Sequence, residues 1–260
     1  MTQIAFGCAL AALVAFAAYR AHALDRSGAL AAFAIGAATF GAGGWDAALV
    51  LFTFFLPATL ISRLGRSQKR RLVDIAKSGA RDARQVLANG GVATTAIVVA
   101  RFFGAPPATV FAAAFAGAYA AAAADTWGTE IGTWIGGRPR SLVTLRPLAA
   151  GLSGGVSLAG IAAQIVGAVS VGLVAQALHV APFWPVAAGG FIGATIDSLL
   201  GGSVQALRHC PRCQRDCENN PHVCGSPTVV RRGIAWFEND AVNLAATLSG
   251  AVVTALFVAR

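Results

Sequence analysis

Charge is what this chain has least of. Only 12% of its 260 residues are Asp, Glu, Lys or Arg, against 56% hydrophobic residues, and the mean hydropathy is +0.65. So little polar surface cannot cover a water-soluble domain, and that class is excluded. No Gly-Lys-Ser/Thr follows any glycine run, which removes a Walker-type phosphate loop. No single helix carries a run of aspartates, which removes a CDP-alcohol phosphotransferase. The first apolar run has no basic residue ahead of it. Ala21-His22-Ala23 looks like a cleavage site, but Arg20 follows the run, the reverse of a secretory signal, and the segment reads as a membrane helix.

What is present is glycine and alanine in apolar runs, the composition of closely packed membrane helices rather than of an alternating barrel. Runs near 3–20, 28–44, 46–62, 87–103, 107–127, 154–178, 184–207 and 241–259 have the length a bilayer demands. The expectation is an all-α, polytopic membrane bundle of about eight transmembrane helices, with residues 1–260 as a single integral membrane domain. The second and third runs are parted by Gly43 and Gly44, with Asp46 at the water boundary. Eight spans put 20–26, 63–86, 128–153 and 208–240 on one side, and these four segments hold 18 of the 20 Lys and Arg. That bias marks them as cytoplasmic loops, in a multi-pass protein of the bacterial inner membrane. It also explains the net charge of +9 without nucleic acid as a partner. Lys69, Arg70 and Arg71 set topology or rest on anionic headgroups.

The acids that remain are therefore conspicuous. An Asp at a helix centre in the bilayer costs roughly 2.5–3.5 kcal/mol, so few are kept without a use. Asp125 falls at the end of the fifth run, in Ala121–Gly132, with Glu130 beyond Gly128. Gly117, Ala121 and Asp125 are spaced by four, as are Gly189, Gly193 and Asp197, continuing to Gly201 and Gln205. Small residues on the acid-bearing face let another backbone approach and bury each carboxylate inside the bundle. The two segments read as a remnant internal repeat or as a chance match. Asp82, Gln85 and Asn89 share one helix face entering the fourth run, and Asp240 and Asn243 open the eighth. Asn243 or Gln205 alone would read as an interhelical hydrogen bond. Three carboxylates at one depth need cations, and Mg²⁺ held by a few carboxylates and substrate phosphates meets that need. Arg81, Arg138, Arg140 and Arg146 are on the same side to hold phosphates. Gly151–Gly155 reads as a plain helix entry or, more weakly, as an anion-binding one.

Four of the five cysteines crowd into the 208–240 loop. In a reducing compartment a metal knuckle is favoured over disulfides. Cys210-x2-Cys213 and His222-x-Cys224 supply four tetrahedral ligands suited to a structural Zn²⁺, with Cys217 either spare or displacing His222.

Four blocks, Ala80–Gly91, Ala122–Gly132, Ile196–Gln205 and Cys210–Asn243, together resemble the integral membrane family called domain of unknown function 92, which includes the plant phytyl-phosphate kinase. The resemblance implies a prenyl-phosphate kinase that moves a phosphoryl group from a nucleoside triphosphate, CTP or ATP, to an isoprenoid monophosphate such as phytyl, farnesyl or geranylgeranyl phosphate. Carried onto this chain, it makes Asp125, Asp197, Arg81 and Asp82 catalytic candidates. Gln85, Asn89 and Asn243 would bind substrate or phosphate, and Asp125, Glu130, Asp197 and Asp240 would hold Mg²⁺; Arg138 and Arg146, which come from the charge reading above and not from the resemblance, are further candidates to bind phosphate. The prenyl tail would lie between helices in the bilayer. The alternative is a lipid or ion transporter, or a flippase, using the same intramembrane acids. Oligomeric state is not legible.

Overall fold

A computed structural model describes residues 2–64 and 79–260; Lys69, Arg70 and Arg71 lie outside them. Among the described residues there are seven helices: α1 (Thr2–Arg20), α2 (Arg26–Ile61), α3 (Ala83–Ala100), α4 (Pro107–Ile135), α5 (Leu158–Ala177), α6 (Phe183–Ser203) and α7 (Asn239–Val258). Five of them, α2 and α4 to α7, are long and apolar enough to cross a membrane. Large side chains such as Leu30, Leu60, Leu158, Trp184 and Leu256 face outward, while the buried residues are mostly alanine and glycine. That inversion of a soluble core is the arrangement lipid favours, because between helices in lipid it is close backbone packing, not the hydrophobic effect, that drives association.

The second and third apolar runs form one assigned helix, α2, interrupted at Gly44 (φ 61°, ψ −147°). A straight helix of 36 residues would hold its ends about 54 Å apart. Instead Arg63 Nη2, just past its end, donates to Ala21 O, just before its start, at 3.4 Å. The chain therefore reverses at Gly44, where only glycine adopts such a φ without strain. Trp45 and Asp46 are exposed at the turn, and Trp45 packs on Phe40 and Phe6.

The all-α expectation needs correcting between α6 and α7. Here β3 (Leu207–Cys210), β4 (Arg215–Cys217) and β5 (Val229–Arg232) form an antiparallel sheet in the order β4-β3-β5. Alternate residues of β3, Arg208 and Cys210, are buried, the period of two that makes a strand. A two-stranded ladder, β1 (Arg140–Ser141) with β2 (Gly155–Val156), ties the loop between α4 and α5. Several span limits also move, among them the start of α3, from 87 to Ala83, and of α5, from 154 to Leu158. α4 continues to Ile135, well past residue 127, and α6 ends at Ser203, before residue 207.

The described residues of segments 20–26, 63–86, 128–153 and 208–240, which leave out 65–78, meet on one face. Arg81 N donates to Ala23 O and Asp25 N to Arg81 O, each at 3.0 Å. On the same face, Ser153 is joined to Glu218.

Candidate functional site

The small-residue ladders set where the acids meet. α4 and α6 run parallel: Gly117 and Gly189 both rest on Thr254, and a Cβ on Gly193 would come 2.6 Å from Ala121 Cβ. One turn further along both helices lie Asp125 and Asp197, and their carboxyl groups are in hydrogen-bond contact. α7 runs antiparallel against the pair, with Thr254, then Gly250, then Ala246 at successive levels. Its first turns accordingly deliver Asp240 and Asn243 to the same level, where both line the cavity beside the acids. α5 closes the other side, with Gln164 pressed on Gly128, and Ser157 and Gly160 on Gly132. This packing carries α4 through two glycines and holds Asp125 and Glu130 inside the helix rather than past its end.

A third acid joins that sequence reasoning missed. Glu218 follows β4 directly and accepts from Ser153 N (2.7 Å), Ser153 Oγ (3.0 Å) and Gln205 Nε2 (3.0 Å), close enough to Asp197 for their charges to interact. Burial pushes its carboxyl above the usual range, against the lowering effect of those donors and of Arg232. Ser153 is held in place by Gly154, whose φ of +82° and contact with Gly202 leave no room for a side chain. Glu218 sits among cysteines in sequence and contacts a residue 65 positions away, so no local pattern could have shown it.

These groups line a cavity of about 680 Å³. Arg81, Asp82, Arg84, Gln85, Asn89, Asp125, Glu130, Asp197, Glu218, Asp240 and Asn243 all face it, as do Gly151–Gly155. Arg138 and Arg146 do not line it; both are exposed on the loop between α4 and α5. Asp82 also caps α3, accepting from Gln85 N at 3.0 Å while Gln85 Oε1 accepts from Asp82 N at 3.3 Å. That reciprocal capping box fixes the entry of α3. Arg81 is held by its bridge to Leu24.

Beside this polar cavity lies an apolar one of about 90 Å³, lined by α1, both arms of α2, the start of α3 and Tyr119. Arg81, Gln85 and Asn89 line both. One row of polar side chains thus separates an acid-lined chamber from a greasy one.

The acid pair suits a hard divalent cation. Two carboxyl groups in contact need a proton or a cation between them, and Asp197 Oδ2 is buried with no hydrogen-bond partner among the described residues. Asp125 and Asp197 offer the oxygen ligands Mg²⁺ prefers; Glu218 is close enough to interact with Asp197, and Glu130 and Asp240 line the same cavity. At the edge of the same face, ligand atoms of Cys210, Cys213, His222 and Cys224 all lie within 4.8 Å of one another. Cys217 stands apart, buried, with its Sγ on Asn219 O.

The family model described as "Integral membrane protein DUF92" matches residues 9–251. The chain belongs to this family. Relatives within reach include Protein PGR of Arabidopsis thaliana, 29% identical over 283 residues, with 98% of this chain and 96% of the relative covered. An uncharacterized membrane protein of Methanocaldococcus jannaschii is 26% identical, covering 96% and 90%. Another from Synechocystis is 22% identical, covering 67% and 69%. No solved structure matches.

Proposed function

We propose that this DUF92 protein is a membrane-embedded phosphotransferase that converts an isoprenoid monophosphate into its diphosphate, with a nucleoside triphosphate as donor. The observation that carries the reading is the shared wall of Arg81, Gln85 and Asn89 between a polar, acid-lined chamber and an apolar one. A substrate with a phosphate head and a hydrocarbon tail is the class of molecule that needs both at once. The reversal at Gly44 supports eight crossings of the bilayer, with the cavity opening to the cytoplasm, where nucleotide is present. In sequence, 18 of the 20 basic residues fall in the loop segments assigned to that side, which supports the same orientation.

In this reading Asp125 and Asp197 hold Mg²⁺, with Glu130, Asp240 or Glu218 contributing. When bound, the ion would supply charge neutralisation for the nucleotide phosphates. Arg81 takes the lipid phosphate, a bidentate guanidinium matching its oxygens, and Gln85, Asn89 and Asn243 orient it by hydrogen bonds. A phosphate oxygen of the lipid attacks the γ-phosphorus, the bond to the β,γ-bridging oxygen breaks, and nucleoside diphosphate leaves. The attacking oxygen is already anionic, so no strong general base is required.

The test is direct. Purified protein in detergent receives phytyl, farnesyl or geranylgeranyl phosphate with ATP or CTP, and lipid diphosphate is measured. Formation of diphosphate that requires Mg²⁺ supports the proposal. Ion or lipid flux in liposomes with no diphosphate from any pair would overturn it in favour of a transporter, which would place its acids within reach of both faces. Here, apart from Asp46, the described acids gather toward one face.

A further inference from the structure

The loop between α6 and α7 buries few side chains, among them Ala206, Arg208, Cys210, Cys217 and His222, around its three-stranded sheet. Segments below about 40 residues seldom build a sufficient core and rely on a staple. Two tight turns stand in for that core. In the first, Gln214 N donates to Cys210 O at 2.9 Å, bringing Cys213 back over Cys210; in the second, Gly225 N donates to His222 O at 2.7 Å, bringing Cys224 beside His222. The turns face each other, with Cys210 Sγ 3.6 Å from Cys224 Sγ and His222 Nδ1 3.1 Å from Cys224 Sγ. Sulfurs at 3.6 Å are not bonded to one another. They are instead near the edge of a tetrahedron whose centre lies ~2.3 Å from each thiolate. The His222 ring is 3% exposed, and its Nε2 has no partner among the described residues. A buried imidazole against three thiols, with no carbonyl or acid on its ring, is a ligand set for a borderline-soft cation.

We propose that Cys210, Cys213, His222 and Cys224 hold one zinc ion, and that this closed site pins the 211–225 loop so that Glu218 is presented to the Asp125–Asp197 pair. Glu218 lies between the two ligand turns, and its carboxylate is the loop's tie to Ser153 and Gln205. All four zinc positions are filled by protein, so the ion is structural. The zinc proposal does not depend on which reaction the cavity performs.

The experiment uses the full-length protein in detergent. Elemental analysis should find about one zinc per chain, and Co²⁺ exchanged into the wild type should give the intense visible bands of tetrahedral cobalt with thiolate charge transfer. Cys213→Ser and Cys224→Ser should lose the metal, while Cys217→Ser and Cys8→Ser keep it. Wild-type protein without zinc, without the cobalt spectrum, or with metal lost on changing Cys217 would overturn the site. Hydrogen exchange then tests the pinning. Removing zinc should speed exchange of the 151–155 amides by about tenfold or more, while α4 and α6 stay protected. Unchanged exchange at 151–155, or loss of protection throughout the bundle, would overturn the role given to Glu218.

Discussion

Two clusters of metal-type ligands lie on the same face of this protein and are built in opposite ways. The carboxylates come from different helices, carry hard oxygen donors, and border a cavity of about 680 Å³. The thiols and imidazole come from one loop, carry soft donors, and bring all four ligand atoms within 4.8 Å of one another. The first depends on helix packing and the second on two turns. A site that leaves ligand positions open can take substrate, whereas one that closes them can only hold shape. Glu218 connects the two, lying within the loop of one and against the acids of the other.

Breaking the acid cluster should have the largest effect. Asp125→Asn or Asp197→Asn should lower diphosphate formation by ~10²–10³-fold or more, with zinc content unchanged. Because the two act as a unit, the double variant should be little worse than either one. Full activity in either single variant would break the comparison outright. Next is the packing that sets the acid pair. Gly193→Val puts new atoms where Ala121 Cβ already lies 2.6 Å from a Cβ position. It should cost about 1–3 kcal/mol of stability by overpacking and reduce activity, while leaving the cobalt spectrum of the loop intact. A loss of both clusters together would show that they are not independent.

How much of this was legible in the sequence follows from what each residue depends on. The ladders Gly117-Ala121-Asp125 and Gly189-Gly193-Asp197 were readable because a helix repeats every 3.6 residues and their contacts lie on that repeat. Cys210, Cys213, His222 and Cys224 were readable because turns hold their ligands close in sequence. The end of α4 was not. The fifth apolar run ends at residue 127, before Gly128, but α5 packs onto Gly128 and Gly132 through Gln164, Ser157 and Gly160, and tertiary contact outweighs the roughly 1 kcal/mol a glycine costs a helix. Gln205 was placed on the acid-bearing face of α6. The helix stops at Ser203, however, and the freed side chain turns to Glu218 and Ser153. Arg138 and Arg146 shared a side of the membrane with the acids, and charge counting carries no distance, so it could not tell that neither reaches the cavity.

A smaller effect sharpens the other wall of the cavity. Arg81 stands where the polar and apolar chambers meet, and its backbone, tied to Ala23 and Asp25, keeps that position whatever the side chain. Arg81→Lys keeps the charge but loses the planar fork. Turnover should fall by roughly 10-fold, mostly as a raised KM for the lipid phosphate and with little change for the nucleotide. An equal rise in KM for both substrates would move Arg81 from the lipid phosphate to the shared phosphate path.

The smallest effect isolates the residue that belongs to both clusters. Burial raises the Glu218 carboxyl above its ordinary value, so the folded protein keeps that proton at a pH where the unfolded chain has released it. Stability from this group is present below the unfolded value and declines as pH rises through the folded one. Glu218→Gln retains an acceptor for Ser153 but cannot titrate. Between mildly acidic and neutral pH the wild type should therefore lose thermal stability relative to the variant, with metal content equal in the two. Parallel stability curves would mean that Glu218 is charged at no cost where it sits, held by Ser153, Gln205 and Arg232. In that case the loop would be presenting a carboxylate already prepared for a cation.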